Sequence, residues 1–509
     1  SLRLTLLRRL LPSVFCGLLV SGAVQAGMPV VDATTDQLIL RLDPERISDD
    51  KAKTAAHGVS GLATRFEAVV RALGIEGLEI ERPLDDTALV IRLTAPAAPA
   101  QLAKLIEQLN AHPGVAHAEP DGRVYPAFVP NDPGIFLGLQ WYLYETYGIE
   151  AYAAWDLQRG SAATVLALLD TGILPHEDLD PARRLPGYDF VDDDADATDP
   201  GDFTTVVNEC GDGSPPEDSS WHGLHLAGVM TAITDNATGV AGINHVSSLL
   251  PVRVLGKCGG YYSDIIDGIR WAAGLAVPGV PSNPNPAQVI NLSLSAEQSC
   301  TVEIQNAIDA AVAAGTIVVA AAGNGDGTDV AATLPAGCRN VIAVAATDRA
   351  GRIESYSNLG SGVLLSAPGE NIYSVYNAGT TVAAADSYEY ISGTSVAAAQ
   401  VTAAVSLLLS TQPALTPTNV RQILAQTAQP YSAGCPGGLP CGAGILDMHA
   451  ALEMALNITP GDPVATSGGG GGGGGCTLAA AGAAGRGADL AWLLVFGVLG
   501  LLRVQSMRR

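Results

Sequence analysis

The sequence predicts an α/β protein with a doubly wound, mostly parallel sheet, and two observations lead to this prediction. Short apolar segments have the length and composition of buried strands; examples are TVLALLD (164–170), QVINLSL (288–294) and VIAVAAT (341–347). They alternate with segments of helical period such as SDIIDGIRWAAG (263–274) and VEIQNAIDAAVAAG (302–315). Strands that alternate with helices form parallel sheets with helices on both faces.

The length and the N-terminal pattern indicate several domains in an exported chain. The chain has 509 residues, more than one compact domain usually holds. Residues 1–26 place Arg3, Arg8 and Arg9 before an apolar stretch that ends in small residues at 24–26. This is the pattern of a secretory signal peptide, and export would permit disulfides.

Residues 27–125 predict a separate, small α+β unit. QLILRL and DTALVIRLT alternate as strands do, whereas TRFEAVVRAL and PAQLAKLIEQLNAH have helical period. GVAHAEPDGRV closes the unit as a last strand. The predicted element order is therefore β-α-β-β-α-β, which is ferredoxin-like.

The segment ISGTSVAAAQ (391–400) places Ser395 where an apolar helix begins. Alanine and leucine favour the helix that follows, and the first N–H groups of a helix carry partial positive charge. A serine hydroxyl beside such donors is suited to attack a carbonyl, because the developing anion would be stabilised. Serine is also a common helix cap, so this segment alone leaves both interpretations open.

Two further segments supply candidate partners for Ser395. Asp170 ends a buried strand, at the sheet edge where catalytic groups collect, although a lone Asp there is also common in turns. WHGLHLAGVM (221–230) begins a second helix with His222, and His225 follows at i+3, a spacing that metal ligands or one packed histidine would also explain. The chain order Asp170, His222, Ser395 matches a known order of catalytic triads and favours nucleophilic catalysis.

Five segments in this order make the chain resemble the subtilisin-like serine proteases, the subtilase family. They are LALLDTGI, HGLHLAG, VINLSLS, VVAAAGN and SGTSVAAA, and the resemblance spans roughly residues 131–450. It implies a subtilisin-like fold and a serine endopeptidase that needs no cofactor for its chemistry. By the same resemblance Ser395 is the nucleophile, His222 the general base and Asp170 the group that orients His222.

The resemblance also assigns an oxyanion hole and the edges of a substrate cleft. Asn324, which could otherwise be a turn residue, would stabilise the developing negative charge together with the Ser395 N–H. An extended peptide substrate would add as a strand to two backbone edges. These edges correspond to Ser293, Leu294 and Ser295, and to Ala321, Ala322 and Gly323.

Several positions depart from the family pattern without removing a catalytic group. Ser295 replaces a glycine and adds a Cβ where a substrate backbone should approach closely. These departures leave an alternative open, in which a weakened or inactive subtilase fold serves as a surface-displayed binding protein. The other departures are Leu224 for Thr, Leu226 for Val, Val396 for Met, and Ala399–Gln400 for Pro-His.

The resemblance extends to the domain organisation. Residues 27–125 resemble the subtilase propeptide, which assists folding and then inhibits the enzyme with its last residues in the substrate cleft; a permanent accessory domain is the alternative. We expect autocleavage near Tyr125–Asp132, and residues 126–457 as the catalytic domain.

The C-terminal region predicts a sorting tail. Residues 458–487 form a Pro- and Gly-rich linker with eight consecutive glycines, and 488–509 combine a short apolar run with an Arg cluster. This resembles the GlyGly-type sorting signals of Gram-negative bacteria, with a permanent anchor as the alternative. We therefore expect export from a Gram-negative cell, transient membrane contact through the tail, and a mature protein that is extracellular or attached to the cell surface.

A dense acidic loop suggests a cation site. Residues 188–203 contain seven aspartates, and calcium takes six to eight oxygen ligands. Because subtilases commonly bind stabilising calcium, Asp192, Asp194 and Asp196 are candidate ligands. The spacing is not that of an EF-hand, since Ala197 stands where that loop needs Gly.

Six cysteines fall within residues 126–457, and six cysteines allow 15 pairings. The segments VRVLGKCGGYYSDIIDGIRWA and NPNPAQVINLSL resemble secreted bacterial subtilases of the Xanthomonas type. That resemblance implies three disulfides: Cys210–Cys258, Cys300–Cys338 and Cys435–Cys441.

The excess of acidic residues argues against nucleic acid as a partner. Residues 126–467 hold ten Lys plus Arg against 35 Asp plus Glu, a surface that repels nucleic acid phosphates. We expect protein or peptide substrates, the chain's own propeptide as inhibitor, the secretion and tail-processing machinery, and a monomeric enzyme.

Overall fold

The structure, a computed structural model, describes residues 37–43, 45–46, 59–94, 99–121 and 128–458. It divides into two compact units, residues 1–129 and 130–509. The expected signal peptide, the linker from residue 459 onward and the sorting tail lie outside the described residues.

The N-terminal unit has the predicted β-α-β-β-α-β order. Its four strands pair antiparallel in the order β2-β3-β1-β4. Leu38, Leu40 and Leu42 of the first strand are buried, as expected where alternate side chains of a strand face a core. The elements are β1 (Gln37–Leu42), α1 (Val59–Leu73), β2 (Leu78–Pro83), β3 (Ala88–Leu93), α2 (Pro99–Asn110) and β4 (Val115–Pro120).

The C-terminal unit is built on a seven-stranded sheet in which all neighbours are parallel. The strand order is β11-β10-β9-β8-β5-β7-β6. Because these strands are buried on both faces, they are almost wholly apolar. They are β5 (Val165–Asp170), β6 (Tyr188–Asp189), β7 (Ser248–Arg253), β8 (Val289–Leu292), β9 (Ile317–Ala321), β10 (Val341–Thr347) and β11 (Val363–Pro368).

Helices pack on this sheet and connect its strands. They are α3 (Pro133–Phe136), α4 (Ala151–Leu157), α5 (His222–Thr231), α6 (Tyr262–Ala272), α7 (Val302–Ala313), α8 (Thr394–Thr411), α9 (Pro417–Thr427) and α10 (Met448–Asn457). An antiparallel hairpin of β12 (Ile372–Asn377) and β13 (Asp386–Ile391) precedes α8.

The two faces of the sheet carry different helices. Ala167 and Leu169 of β5 belong to a core cluster with Ile265 of α6 and Ile304 of α7. Helices α5 and α8 pack against each other and against the sheet, and α8 is buried along almost its whole length. The prediction of a doubly wound α/β fold is confirmed.

Helix α8 is also the one helix among the described residues that is long and apolar enough to cross a membrane. In this fold 83% of its 18 residues are buried within the protein. Its apolar character is thus that of a core helix.

Strand β5 is the point from which the chain adds strands to the sheet in two directions: β6 and β7 lie on one side of it, and β8 to β11 on the other. It lies between β8 on one side and β7 on the other, although it is the first strand of this sheet in the chain. In open α/β sheets, ligands bind beyond the carboxyl ends of the strands at such a switch point. Asp170 is the last residue of β5 and therefore lies at this edge.

Three disulfides cross-link the C-terminal unit, and they are the pairs that the resemblance implied. Cys210 pairs with Cys258, Cys300 with Cys338, and Cys435 with Cys441. The second bridge spans 38 residues of sequence and the third only six. Since a cross-link mainly restricts the unfolded chain, the longer loop should stabilise the fold more.

We expect removal of the Cys300–Cys338 disulfide to destabilise the protein more than removal of the Cys435–Cys441 disulfide. Replacing Cys300 and Cys338 with alanine should lower the free energy of unfolding by about 4 kcal/mol, and replacing Cys435 and Cys441 by about 2 kcal/mol. Urea denaturation of the two double variants checks this. Equal losses, or a larger loss for the short loop, would contradict the chain-entropy account.

Candidate active site

Asp170 and His222 meet at the carboxyl edge of the sheet. The Nδ1 atom of His222 lies 2.7 Å from Oδ1 of Asp170. The carboxylate is fully buried, and the same Oδ1 accepts a hydrogen bond from the Thr171 N–H at 2.9 Å. Its Oδ2 has no hydrogen-bond partner within the described part of the chain. An acid held this way fixes the imidazole orientation with Nε2 free for chemistry.

A glycine lets the histidine helix come this close to β5. Helix α5 begins at His222, and Gly223 follows it. A Cβ on Gly223 would lie 2.3 Å from the carbonyl oxygen of Gly172 and 3.2 Å from Oδ1 of Asp170. Any larger residue at position 223 would push the start of α5 away from Asp170. Packing therefore requires a glycine directly after His222.

The electrostatic surroundings of His222 favour its protonated form. Burial alone would lower the pKa of His222. The charge and hydrogen bond of Asp170, with the charges of Asp202 and Asp199, more than offset burial and raise the pKa above its ordinary value. The imidazole can therefore hold a proton that it takes from a nucleophile.

Ser395 lies in the first turn of α8, the helix that packs against α5. Its Oγ donates a long hydrogen bond of 3.4 Å to the carbonyl of Ser293, and the Ser293 hydroxyl donates to the carbonyl of Ser395 at 2.9 Å. These contacts join the first turn of α8 to the end of β8. No hydrogen bond joins Ser395 Oγ to His222 among the residues described; such bonds often tighten only when substrate is present.

Asn324 is fixed beside the start of α8. Its Oδ1 accepts hydrogen bonds from the N–H of Thr394 at 3.0 Å and from the Thr394 hydroxyl at 2.9 Å. That hydroxyl also accepts the Gly323 N–H at 3.1 Å. Because Oδ1 is engaged, the amide Nδ2 of this exposed side chain is left to donate outward next to Ser395.

The two expected substrate edges follow neighbouring strands of the sheet. Ser293, Leu294 and Ser295 follow β8, and Ser295 is exposed whereas the other two are buried. Ala321 ends β9, and Ala322 and Gly323 continue it. Asn358 supports this second edge, since its side chain donates to Ala322 and its N–H to Gly323.

A cleft of about 470 Å³ adjoins His222. Its wall includes the Cys210–Cys258 disulfide, which ties the chain that follows the acidic loop to the segment after β7. His222 and the polar residues around it open onto this space. The lining residues are Thr171, Asp202, Thr204, Cys210, Asp212, Ser214, Glu217, Ser220, His222, Leu255, Gly256, Cys258 and Gly259.

Most departures from the family pattern lie in the core. Leu224, Leu226 and Val396 are fully buried. Gln400 is also fully buried; its Nε2 donates to the carbonyls of Pro368 and Val396, while its Oε1 has no partner within the described ranges. These four residues therefore affect packing rather than the reacting groups.

His225 has the surroundings of a structural histidine. It is fully buried, and its Nε2 lies 3.0 Å from the carbonyl of Ile372 and 3.2 Å from that of Glu389. Burial lowers the pKa of His225 to about 3, so this ring is neutral. The Nδ1 of His222 is instead paired with Asp170, so the two histidines of this helix have different partners.

The three aspartates proposed as calcium ligands do not converge. Asp192 pairs with Arg253, Asp194 accepts the N–H of Asp196, and Asp196 accepts the N–H of Thr198. Across the described ranges, no group of three or more His, Cys, Asp or Glu side chains is placed to hold a metal. The contacts therefore do not support calcium at these positions.

Two other carboxylates, which the sequence did not single out, are buried without a cationic partner among the described residues. Asp132 and Asp178 are fully buried and face the loop at residues 235–240, where Asp132 accepts the N–H of Asp235. Asp178 accepts hydrogen bonds from Asn236 and from Val240. No cationic side chain contacts either carboxylate in the described part of the chain, and burial raises the pKa of Asp178 to about 7. This pair lacks a compensating charge.

Comparison with known proteins supports the same class of enzyme. Residues 161–455 match the subtilase family, Peptidase S8. The chain is 45% identical over 421 residues to the "Extracellular protease" of Xanthomonas campestris pv. campestris, which covers 80% of this chain and 69% of that protein. The "Extracellular basic protease" of Dichelobacter nodosus is 38% identical over 370 residues, or 69% of this chain and 60% of that protein.

A solved structure agrees with the fold. A protease of Pseudoalteromonas arctica aligns with a TM-score of 0.61 and 43% identity, over 64% of this chain and all of that one. This chain therefore belongs to the subtilase family, the subtilisin-like serine proteases.

Proposed function

We propose that this protein is an exported serine endopeptidase that hydrolyses peptide bonds through Asp170, His222 and Ser395. The observation that carries the proposal is the 2.7 Å contact between His222 Nδ1 and the buried Asp170 carboxylate, on a helix that packs against the one bearing Ser395. The relatives named extracellular proteases support export and protein substrates.

The reaction would proceed by acyl transfer. Ser395 Oγ attacks the peptide carbonyl while His222 Nε2 removes its proton, and the imidazolium then protonates the leaving amine. Asp170 holds the ring and stabilises its positive charge. Water, activated by the same histidine, releases the acyl group.

Asn324 and the Ser395 N–H would stabilise the oxyanion. The Thr394 bonds to Oδ1 leave Nδ2 as the donor of Asn324. The Ser395 N–H belongs to the first turn of α8, where helix N–H groups are unsatisfied. Both donors would be in place before the substrate arrives, which is what makes such stabilisation effective.

A peptide substrate would bind as an extended strand along the edges 293–295 and 321–323. The backbone groups of Leu294 and Ser295 form no hydrogen bond with other described residues, so a substrate strand could pair with them. The exposed Ser295 side chain would narrow the approach relative to glycine.

Maturation and sorting complete the proposal. Residues 27–125 would act as an inhibitory propeptide removed by autocleavage, which the separate compact unit 1–129 and its ferredoxin-like order support. Residues 1–26 would direct export. Residues 458–509 would serve as linker and sorting tail, so that the mature enzyme is surface-attached or released.

One observation favours the alternative of a weakened, surface-displayed binding protein. Ser395 Oγ bonds to the carbonyl of Ser293 rather than to His222, and an unactivated serine is a poor nucleophile. The reactivity of Ser395 distinguishes the two functions directly.

Fluorophosphonate labelling of the full chain and of Ser395→Ala tests the proposal. We expect one label on Ser395 in the wild type and none in the variant, with kcat at least about 10⁴-fold lower in the variant. Intact-mass analysis should show loss of the propeptide in the wild type only, with the new N-terminus near residues 125–132. A folded wild-type protein that takes no label would support the binding protein.

Replacing Asn324 tests the oxyanion hole. Asn324→Ala should lower kcat about 100- to 1000-fold with little change in KM, the range found when subtilisin loses such a donor. Asn324→Asp is the matched variant, because it keeps an oxygen acceptor for Thr394 and loses the donor. A loss expressed mainly in KM, or full activity of Asn324→Asp, would contradict this role.

We further propose that Asp132 and Asp178 hold the structural calcium ion that subtilases often bind. The ion would supply the missing positive charge and stabilise the fold by mass action, without taking part in the reaction. The fit rests on two buried carboxylates that lack a cationic partner among the described residues.

Calcium should therefore stabilise the protein through Asp178. At a concentration about 100 times its Kd, calcium should add about 2.7 kcal/mol and raise Tm over that in chelator. Asp178→Asn should abolish the increment, whereas Asp192→Asn should keep it. The reverse pattern would restore the acidic loop as the site, and an unchanged wild-type Tm would contradict calcium binding.

A further inference from the structure

Helix α5 begins without the usual capping side chain. Its N-cap residue, Trp221, has a left-handed conformation (φ 43°) and makes no side-chain cap. The first N–H groups of the helix are nevertheless paired. Ser220 Oγ accepts the N–H of His222 at 3.3 Å, and Thr171 Oγ1 accepts the N–H of Gly223 at 3.1 Å.

Each of these hydroxyls is held by a carboxylate. Asp202 accepts both the N–H and the hydroxyl of Ser220, each at 2.7 Å. Asp199 accepts the Thr171 hydroxyl at 2.7 Å. Because each hydroxyl gives its proton to a carboxylate, its lone pairs are left for the helix N–H. The carboxylates therefore fix the direction in which the hydroxyls cap α5.

Both carboxylates come from one short segment, residues 199–202, at the C-terminal end of the acidic loop. Asp199 is buried and also accepts the Gly201 N–H, which fixes the turn leading to Asp202. The disulfide Cys210–Cys258 ties the chain that follows this loop to the segment after β7. The loop thus brings two carboxylates to the start of the histidine helix, and burial raises the pKa of one of them, Asp199, to about 6.

We propose that Asp202 is a positioning residue for His222, acting through the Ser220 hydroxyl, and that Asp199 acts in the same way through Thr171. This inference rests on the proposed function, in which His222 is the general base. It assigns to the acidic loop a role in the reaction.

The charges around the ring support this role. Asp170 faces the imidazole from the end of β5, and Asp199 and Asp202 face it from the loop; all three raise the pKa of His222. Asp212 and Glu217 line the cleft into which the ring opens.

The remaining neighbours of α5 carry little charge toward the ring. His225 within the helix is neutral, since burial lowers its pKa. Strand β12 contributes two tyrosines, Tyr373 and Tyr376, which stay uncharged because burial raises the pKa of each. The first two turns of α8 contain no titratable side chain. The partial positive charge of the helix N-terminus would disfavour an imidazolium there. The carboxylates of the loop counteract this effect, because their negative charge favours the imidazolium.

Two substitutions separate position from charge. Ser220→Ala removes the hydroxyl and keeps the carboxylate, so kcat should fall about tenfold or more with KM little changed. Asp202→Asn should give a similar fall in kcat and, in addition, move the acid limb of kcat/KM to lower pH. The sign follows because loss of a negative charge makes the imidazolium less favourable and lowers the pKa of His222.

Asp218→Asn is the matched control. Asp218 is exposed, lies two residues before Ser220, and forms no hydrogen bond or ion pair with other described residues. This variant should keep the wild-type kcat and pH profile. Wild-type behaviour of Asp202→Asn, or an equal pH shift in Asp218→Asn, would overturn the inference.

A titration of the histidine ring tests the inference without activity. In the Ser395→Ala background, the ring resonance of His222, assigned by its absence in His222→Ala, should titrate at lower pH when Asp202 is changed to Asn. Failure of the proposed function would leave this shift in place with an inactive wild type. An active wild type with an unshifted resonance would overturn the role of Asp202 alone.

Discussion

The structure depends on a buried carboxylate at the end of a central strand. Asp170 is fully buried at the switch point of the parallel sheet, and a buried charge without partners is strongly unfavourable. Its Oδ1 is satisfied by His222 and by the Thr171 N–H, while Oδ2 finds no partner among the described residues. The approach of α5 is therefore an energetic requirement of the fold, and Gly223 is the residue that makes the approach possible. The same contact that compensates Asp170 orients the imidazole.

The parts of this arrangement that follow from local patterns could be predicted from the sequence. Apolar runs between helical segments indicated the parallel sheet, and Asp170 at the end of such a run fell at the sheet edge. The positions of His222, Ser395 and Asn324 came from motifs in order, since each motif is a strand end or a helix start. Their roles remain proposals, but their placement at one edge follows from the topology.

Contacts between residues distant in the chain could not be predicted in this way. Asp202 and Ser220 are separated by 18 residues, and Asp132 and Asn236 by 104, so no period or motif joins them. The acidic loop misled for a related reason. A run of aspartates suggested a cation cage, but a run says nothing of where each side chain points, and Asp192 instead pairs with Arg253. Asp132 and Asp178, by contrast, are buried in different segments, and no pattern in the sequence singled them out.

The residues that depart from the family pattern differ in how they could affect activity. Val396 for Met exchanges one apolar side chain for another in the core, a kind of change that usually costs little. Leu224 replaces a Thr with an apolar side chain that is also fully buried. Gln400 keeps one end of its amide bonded to Pro368 and leaves Oε1 buried without a described partner, which weakens the fold rather than the chemistry. Only Ser295 stands where a substrate backbone would approach, and its side chain is exposed. A loss of activity through these positions would therefore act through substrate fit at residues 293–295, and would appear in the choice of peptide rather than in the reactivity of Ser395.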